Sequence, residues 1–166
     1  MSDTFAPAAP VTLTRPGTEP ATRHKLFLSL PVADLQQSVR FFEALGFAFN
    51  PHFTSAQETC MLIGEDAYAM LLTHERIADF TTLPIADPRV TTCVGLAFSV
   101  DSRAAVDAMI EAAVAAGGTP SGEPQDHGFM FSRSFADLDG HVWDAFWMDP
   151  VAADPSAAPH STNPAA

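Results

Sequence analysis

"LPVADLQQSVRFFEALGF" (30–47) and "SVDSRAAVDAMIEAAVAAGG" (99–118) decide the fold of this 166-residue chain. Each leaves a strand-like run, opens a helix on a capping residue and stops it on glycine. In the first, Asp34 caps the helix and Gln37 stands where a capping box places its partner. Leu35, Val39 and Phe42 fall on one helical face, and Gly46 follows as the stop. In the second, Asp101-Ser102 opens the helix. Val106, Ile110, Ala113 and Val114 share a face, and Gly117-Gly118 ends it.

The surroundings of the two stretches match as well. "KLFLSLPV" (25–32) and "TTCVGLAFSV" (91–100) read as the strands that lead in. Three strand-like runs follow the first helix: "FAFNPHF" (47–53), "ETCMLI" (58–63) and "AYAMLLT" (67–73). Pro51 makes the first of these an edge or broken strand. Three more follow the second helix: "GTPSGEP" (118–124), "GFMFSRSF" (128–135) and "HVWDAFW" (141–147). The order is β-α-β-β-β twice, and repetition of a whole supersecondary unit is a fold-level signal. It predicts an α+β fold: two β-α-β-β-β modules whose curled mixed sheets enclose a cavity, with the helices on the outer faces.

The modules span about residues 24–80 and 91–148, within a folded part of 24–148. Residues 1–23 and 149–166 are rich in Pro and Ala and lack periodicity, so both are expected to be disordered tails. The net charge of −12 argues against a nucleic-acid partner and against an anionic membrane surface. No run has the length and apolarity of a membrane span, and the N-terminus lacks a secretory pattern. The cytoplasm is the expected address. Cys60 and Cys93 form no CxxC pair and are expected in core packing rather than a disulfide framework.

Alternation then assigns faces, because successive strand side chains point to opposite sides. Leu26, Leu28 and Leu30 share one face of their strand, and Phe27 and Ser29 the other. Val94, Leu96, Phe98 and Val100 form the greasy face of the equivalent strand, opposite Cys93, Gly95, Ala97 and Ser99. Small residues on the concave side leave room for a ligand. In the last strand Trp143, Ala145 and Trp147 oppose Val142, Asp144 and Phe146, which turns the Asp144 carboxylate toward the concavity.

With "FADLDGHVWDAFW" (135–147) added, the doubled unit resembles the vicinal oxygen chelate superfamily. That group contains glyoxalase I, extradiol dioxygenases, fosfomycin resistance enzymes and bleomycin resistance proteins. The resemblance covers about residues 24–148, and the D-x-D-G turn with a carboxylate four residues past the glycine is its most specific feature. It implies four inward metal ligands on the first, fourth, fifth and eighth strands. Carried over, these fall on Phe27, on or next to Leu71, on Gly95 and on Asp144. Phe, Leu and Gly side chains cannot coordinate a metal, and a catalytic site takes about three protein ligands. The family metal is therefore expected to be absent, and no other cofactor is implied.

The expected function is that of a glyoxalase/bleomycin resistance-like protein. It would bind a small, partly apolar molecule against Phe27, Ser29, Leu71, Gly95, Ala97, Arg133 and Phe146. The alternative is a glyoxalase-like lyase or isomerase acting through Asp144. Such an enzyme would use His127 as a rearranged metal ligand, or His127 or Arg133 in acid–base chemistry. His141 falls on the face opposite Asp144 and reads as a turn residue; His52 and His74 read as strand ends. Family members often dimerise, so the resemblance also implies a homodimer.

Overall fold

The computed structural model describes residues 24–92 and 94–153, so Cys93 and most of both terminal segments lie outside the described residues. The first module runs β1 (Leu26–Val32), α1 (Leu35–Ala44), β2 (Ala48–Asn50), β3 (Glu58–Leu62) and β4 (Ala67–Thr73). The second runs β5 (Leu96–Ser99), α3 (Arg103–Ala115), β6 (Thr119–Asp126), β7 (Met130–Ala136) and β8 (Val142–Met148). Their sheets have the orders β1-β4-β3-β2 and β5-β8-β7-β6, each with one parallel pair at the crossover. This is the doubled α+β unit that the repeat predicts.

Local chemistry sets the helix ends. The Asp34 carboxylate accepts from the Gln37 backbone N–H at 2.9 Å and from the Gln37 side chain at 2.8 Å. Those bonds favour the charged form, which lowers the Asp34 pKa. The Ser102 hydroxyl does the same work for α3, accepting from Ala105 N–H at 3.1 Å.

Several elements differ from the sequence reading. Pro51 ends β2 after Asn50, and Pro51–Phe53 turn into a short 3-10 helix. β5 is four residues long, because pairing with β8 begins only at Leu96↔Trp143. Val94 is therefore exposed instead of joining the greasy face. Leu26, at the open end of β1, is exposed too. Val114 is exposed on α3, whose buried face is Val106, Ile110 and Ala113. A short helix α2 (His74–Ala78) follows β4, where the sequence offers little periodicity over five residues. Past residue 148 a helical turn, α4 (Pro150–Ala153), continues the chain, and Asp149 N–H donates to Phe129 O at 2.8 Å.

One core serves both modules. Leu30, Phe41, Phe42 and Leu71 of the first join Leu96, Ile110, Phe135 and Trp143 of the second. The rings interlock: Phe42 meets Trp143 at 5.2 Å, Phe41 meets Phe135 at 6.2 Å, and Phe47 meets Phe98 at 5.4 Å. α1 thus packs on the helix-facing side of the other module's sheet. Neither module could keep that side dry alone.

The D-x-D-G turn fastens this junction. Asp137, Asp139 and His141 are only 8%, 8% and 5% exposed. Asp139 reaches into the first module, accepting from Ala33 N–H at 2.8 Å, with the Ser38 hydroxyl at 3.3 Å. His141 Nε2–H donates to Pro31 O at 2.8 Å. Asp137 accepts from the backbone N–H groups of Asp139 and His141 and from the Trp143 indole at 3.0 Å. Burial raises the Asp137 pKa, and the Trp143 hydrogen bond opposes that rise. Gly140 has φ +96°, and a Cβ there would lie 2.6 Å from Arg89 Cγ, so both conformation and space require glycine.

Candidate functional site

Register and alternation together fix what each sheet shows on the face away from the helices. In the second sheet Asp144 lies between Ala97 of β5 and Ser134 of β7. The next row is Ser99, Phe146 and Ser132. The Ser134 hydroxyl donates to the Asp144 carboxylate, which is half-buried. This face is small and polar around a single acid. Direct neighbours across strands stand about 5 Å apart, so the short side chains of Ala97 and Ser134 flank Asp144 at that distance.

The same rows exist in the first sheet with other chemistry. Ser29 pairs with Met70, which pairs with Cys60. Phe27 pairs with Tyr68, which pairs with Leu62. Phe27 is 54% exposed and stacks on Tyr68 at 4.8 Å between ring centroids. Cys60 is buried, and that burial raises its thiol pKa.

The sequence-derived candidates therefore separate. Phe27, Ser29, Ala97, Asp144 and Phe146 lie on the open faces. Leu71 does not: it pairs with Leu30 on the helix side and is fully buried in the core. The residue of "MLLT" opposite Ser29, and so facing outward, is Met70. Gly95 is exposed just before β5, with nothing within 4 Å of a Cβ built on it. Arg133 also turns away. It pairs across with Ala145 on the helix side, and its guanidinium bonds Asp107 of α3 at 2.7 Å. It neither neutralises Asp144 nor reaches the open face. His127 is exposed in the turn before β7, its N–H on Met130 O, and Met130 is four residues, roughly 13 Å, along the strand from Ser134. So neither cation stands within hydrogen-bond reach of Asp144.

Two neighbours on the open faces went unread in the sequence. Ser134 could have been found from "MFSRSFA", where Phe135 as a core residue sends Ser132 and Ser134 to the opposite face. The outward placement of Met70 needed the register of β4 against β1, which no local pattern contains. Among the described residues no three His, Cys, Asp or Glu side chains gather in a group that could hold a metal. Prominent hollows of the surface lie away from Asp144. One of about 240 Å³ sits at the module junction, lined by Pro31, His74, Asp87, Arg89 and Asp139. None of the described helices is long and apolar enough to cross a membrane.

Comparison with known proteins gives one family. The model of the Glyoxalase/Bleomycin resistance protein/Dioxygenase superfamily matches residues 24–145. No curated protein sequence matches. Among solved structures, the chain is similar to a glyoxalase-related enzyme from Fulvimarina pelagi, with 24% identity and a TM-score of 0.66, over 82% of this chain and 100% of that one. It is similar to a hypothetical protein from S. aureus, with 23% identity and a TM-score of 0.66, over 76% and 94% of the two chains. A glyoxalase/bleomycin resistance protein/dioxygenase family enzyme from Burkholderia phytofirmans shares 19% identity at a TM-score of 0.61, over 74% and 96%. At such identity these structures speak for the fold, while the family model spans most of the chain. The chain belongs to the Glyoxalase/Bleomycin resistance protein/Dioxygenase superfamily.

Proposed function

We propose that the protein binds a small, partly apolar molecule on its open sheet faces, without the family's metal, and acts as a homodimer. One observation carries the reading. The second sheet offers a single carboxylate, Asp144, ringed by Ala97, Ser99, Ser132 and Ser134, with Val142 and Phe146 as apolar side chains before and after it on the strand. That is one strong acceptor among short side chains, with apolar surface on either side. It suits a ligand with an apolar body and a cationic or hydrogen-bond-donating group. The exposed Phe27 and Leu62, which share a row of the first sheet's open face, support a homodimer, since a second copy would cover them. The residue types at the carried-over ligand positions, Phe27, Leu71 and Gly95, support the metal-free reading, and among the described residues no donor set gathers elsewhere.

The test is a panel of small aryl and alkyl amines, each paired with a neutral isostere, measured by calorimetry. Amines should bind better than their isosteres, and Asp144→Asn should lower amine affinity about tenfold, the loss of one charge-assisted bond. The same substitution should leave stability within about 1 kcal/mol, because Ser134 can still donate to the amide oxygen. Equal binding of amines and isosteres would sink the role given to Asp144. About one equivalent of transition metal per chain after chelator-free purification would overturn the metal-free reading.

A further inference from the structure

A second ligand site, independent of the sheet faces, is written in the pairing of the basic residues. The chain holds 20 acidic and 8 basic side chains, so every cation has many potential partners. Among the described residues nearly all find one. Arg76 bonds Glu58 and Asp79, Arg89 bonds Leu138 O beside Asp87, Arg103 grips Asp126, Arg133 bonds Asp107, and Lys25 reaches the Tyr68 hydroxyl. Arg40 alone has neither an ion pair nor a hydrogen bond within the described residues.

Arg40 sits on the solvent side of α1, at the rim of a hollow of about 210 Å³ between that helix and the segment before β3. The floor is apolar, made by Leu35 and Val39. The rim adds donors. The Gln36 amide has no internal partner among the described residues, and the Ser55 hydroxyl accepts from Gln57 N–H at 3.2 Å while its own proton stays free. Thr54 and Thr59 complete the wall, their hydroxyls bonded to each other at 2.8 Å. No carboxylate lines the hollow, although the protein is strongly acidic. Glu43, one turn along α1, is outside the lining.

We propose that this hollow binds a small organic monocarboxylate, its carboxylate on Arg40, Gln36 and Ser55 and its apolar part on Leu35 and Val39. The guanidinium fork matches a carboxylate bidentately, which a hydrated inorganic anion does not exploit as well. The apolar floor asks for more than acetate. The volume admits a single ring or a short branched chain. The net charge of −12 excludes polyanions from the same spot by long-range repulsion.

The test is a ¹H–¹⁵N titration of the full-length protein with sodium benzoate, sodium acetate and sodium chloride at matched ionic strength. Benzoate should give saturable shifts at Gln36, Arg40 and Ser55, with a dissociation constant on the order of 1 mM. Acetate should bind about tenfold more weakly, since it leaves the floor uncovered. Arg40→Gln should abolish saturation while keeping the remaining spectrum, and Arg40→Lys should retain part of the affinity. Linear shifts, equal shifts with chloride, or benzoate binding unchanged in Arg40→Gln would each overturn the proposal. A fully active amine site on the sheet faces would survive any of those outcomes.

Discussion

The two sheets are the same fold written twice in different chemistry. Where Asp144 stands between Ala97 and Ser134, the first sheet places Met70 between Ser29 and Cys60. One triplet centres on a soft thioether, the other on a carboxylate. On the opposite sides of the same sheets the difference disappears. Leu71 and Ala145 occupy equivalent register positions, beside Leu30 and Phe98; Leu30, Leu71 and Phe98 pack in the common core, and Ala145 is fully buried. Duplication therefore constrains the helix side, which must fill one shared volume, and leaves the open faces free to diverge. Function in such a molecule is sought where its halves disagree.

The largest effect should come from breaking the side on which they agree. Trp143 is 1% exposed and touches Phe42 of the first module and Phe98 of the second. Trp143→Ala should cost about 3–5 kcal/mol in denaturant unfolding, and it also leaves Asp137 Oδ2 without its donor. A double-mutant cycle with Phe42→Ala should show coupling above about 0.5 kcal/mol. Additive losses, or separate unfolding transitions for the two modules, would mean that the core is not shared.

A smaller loss should follow at the junction. Asp139→Ala leaves the part-buried Ala33 N–H without its acceptor and leaves the Ser38 hydroxyl with Asp34 O alone. That should cost about 1–3 kcal/mol, with Asp139→Asn in between, because its amide oxygen can still accept from Ala33. Hydrogen exchange at Ala33 should quicken in Asp139→Ala ahead of the global transition. An unaltered rate would show that this bond does not fasten the modules.

These contrasts also explain what the sequence could convey. The repeat, the caps at Asp34 and Ser102 and the outward turn of Asp144 were legible, because each is a local pattern of period 3.6 or 2. Leu71 misled because "MLL" is apolar at three successive positions: Leu71 and Leu72, on opposite faces of β4, are both buried, so alternation carries no phase. Arg133 misled for the opposite reason. Its neighbourhood in the chain points to Asp144, but one step of register sends it to the helix side, where Asp107 of α3 waits. The D-x-D-G turn was legible as a family mark and silent about its work, since the groups it ties, Pro31, Ala33 and Ser38, lie about a hundred residues away. Long-range polar pairing leaves no local signature.

The smallest expected effect concerns how each module fastens its own parts. In the first, Arg76 of α2 bonds Glu58 of β3 at 2.8 Å. In the second, Arg103 of α3 takes Asp126 of β6 through two bonds of 2.7 and 2.9 Å, and lies over the rings of Phe131 and Trp147. Arg103 and the Gly128 backbone N–H hold the Asp126 pKa down to about 2 from its ordinary 3.8. In that window the unfolded chain binds the extra proton first. The stabilisation by Asp126 is thus complete above about pH 4 and fades as pH falls through 2. Asp137 has the opposite sign: burial raises its pKa, so its contribution is present in acid and is lost as pH rises through the folded value. Thermal midpoints of the wild type and Asp126→Asn, taken in steps across acid pH, separate the two. The gap between the proteins should be widest near neutrality and close toward about pH 2, while the residual slope of the variant retains the Asp137 trend. The Asp126 carboxylate is solvent-exposed, so added salt should narrow the gap at every pH. A gap that stays constant with pH would mean that Asp126 does not pair with Arg103 in solution, and the second module would then lack the fastening that the first has in Arg76.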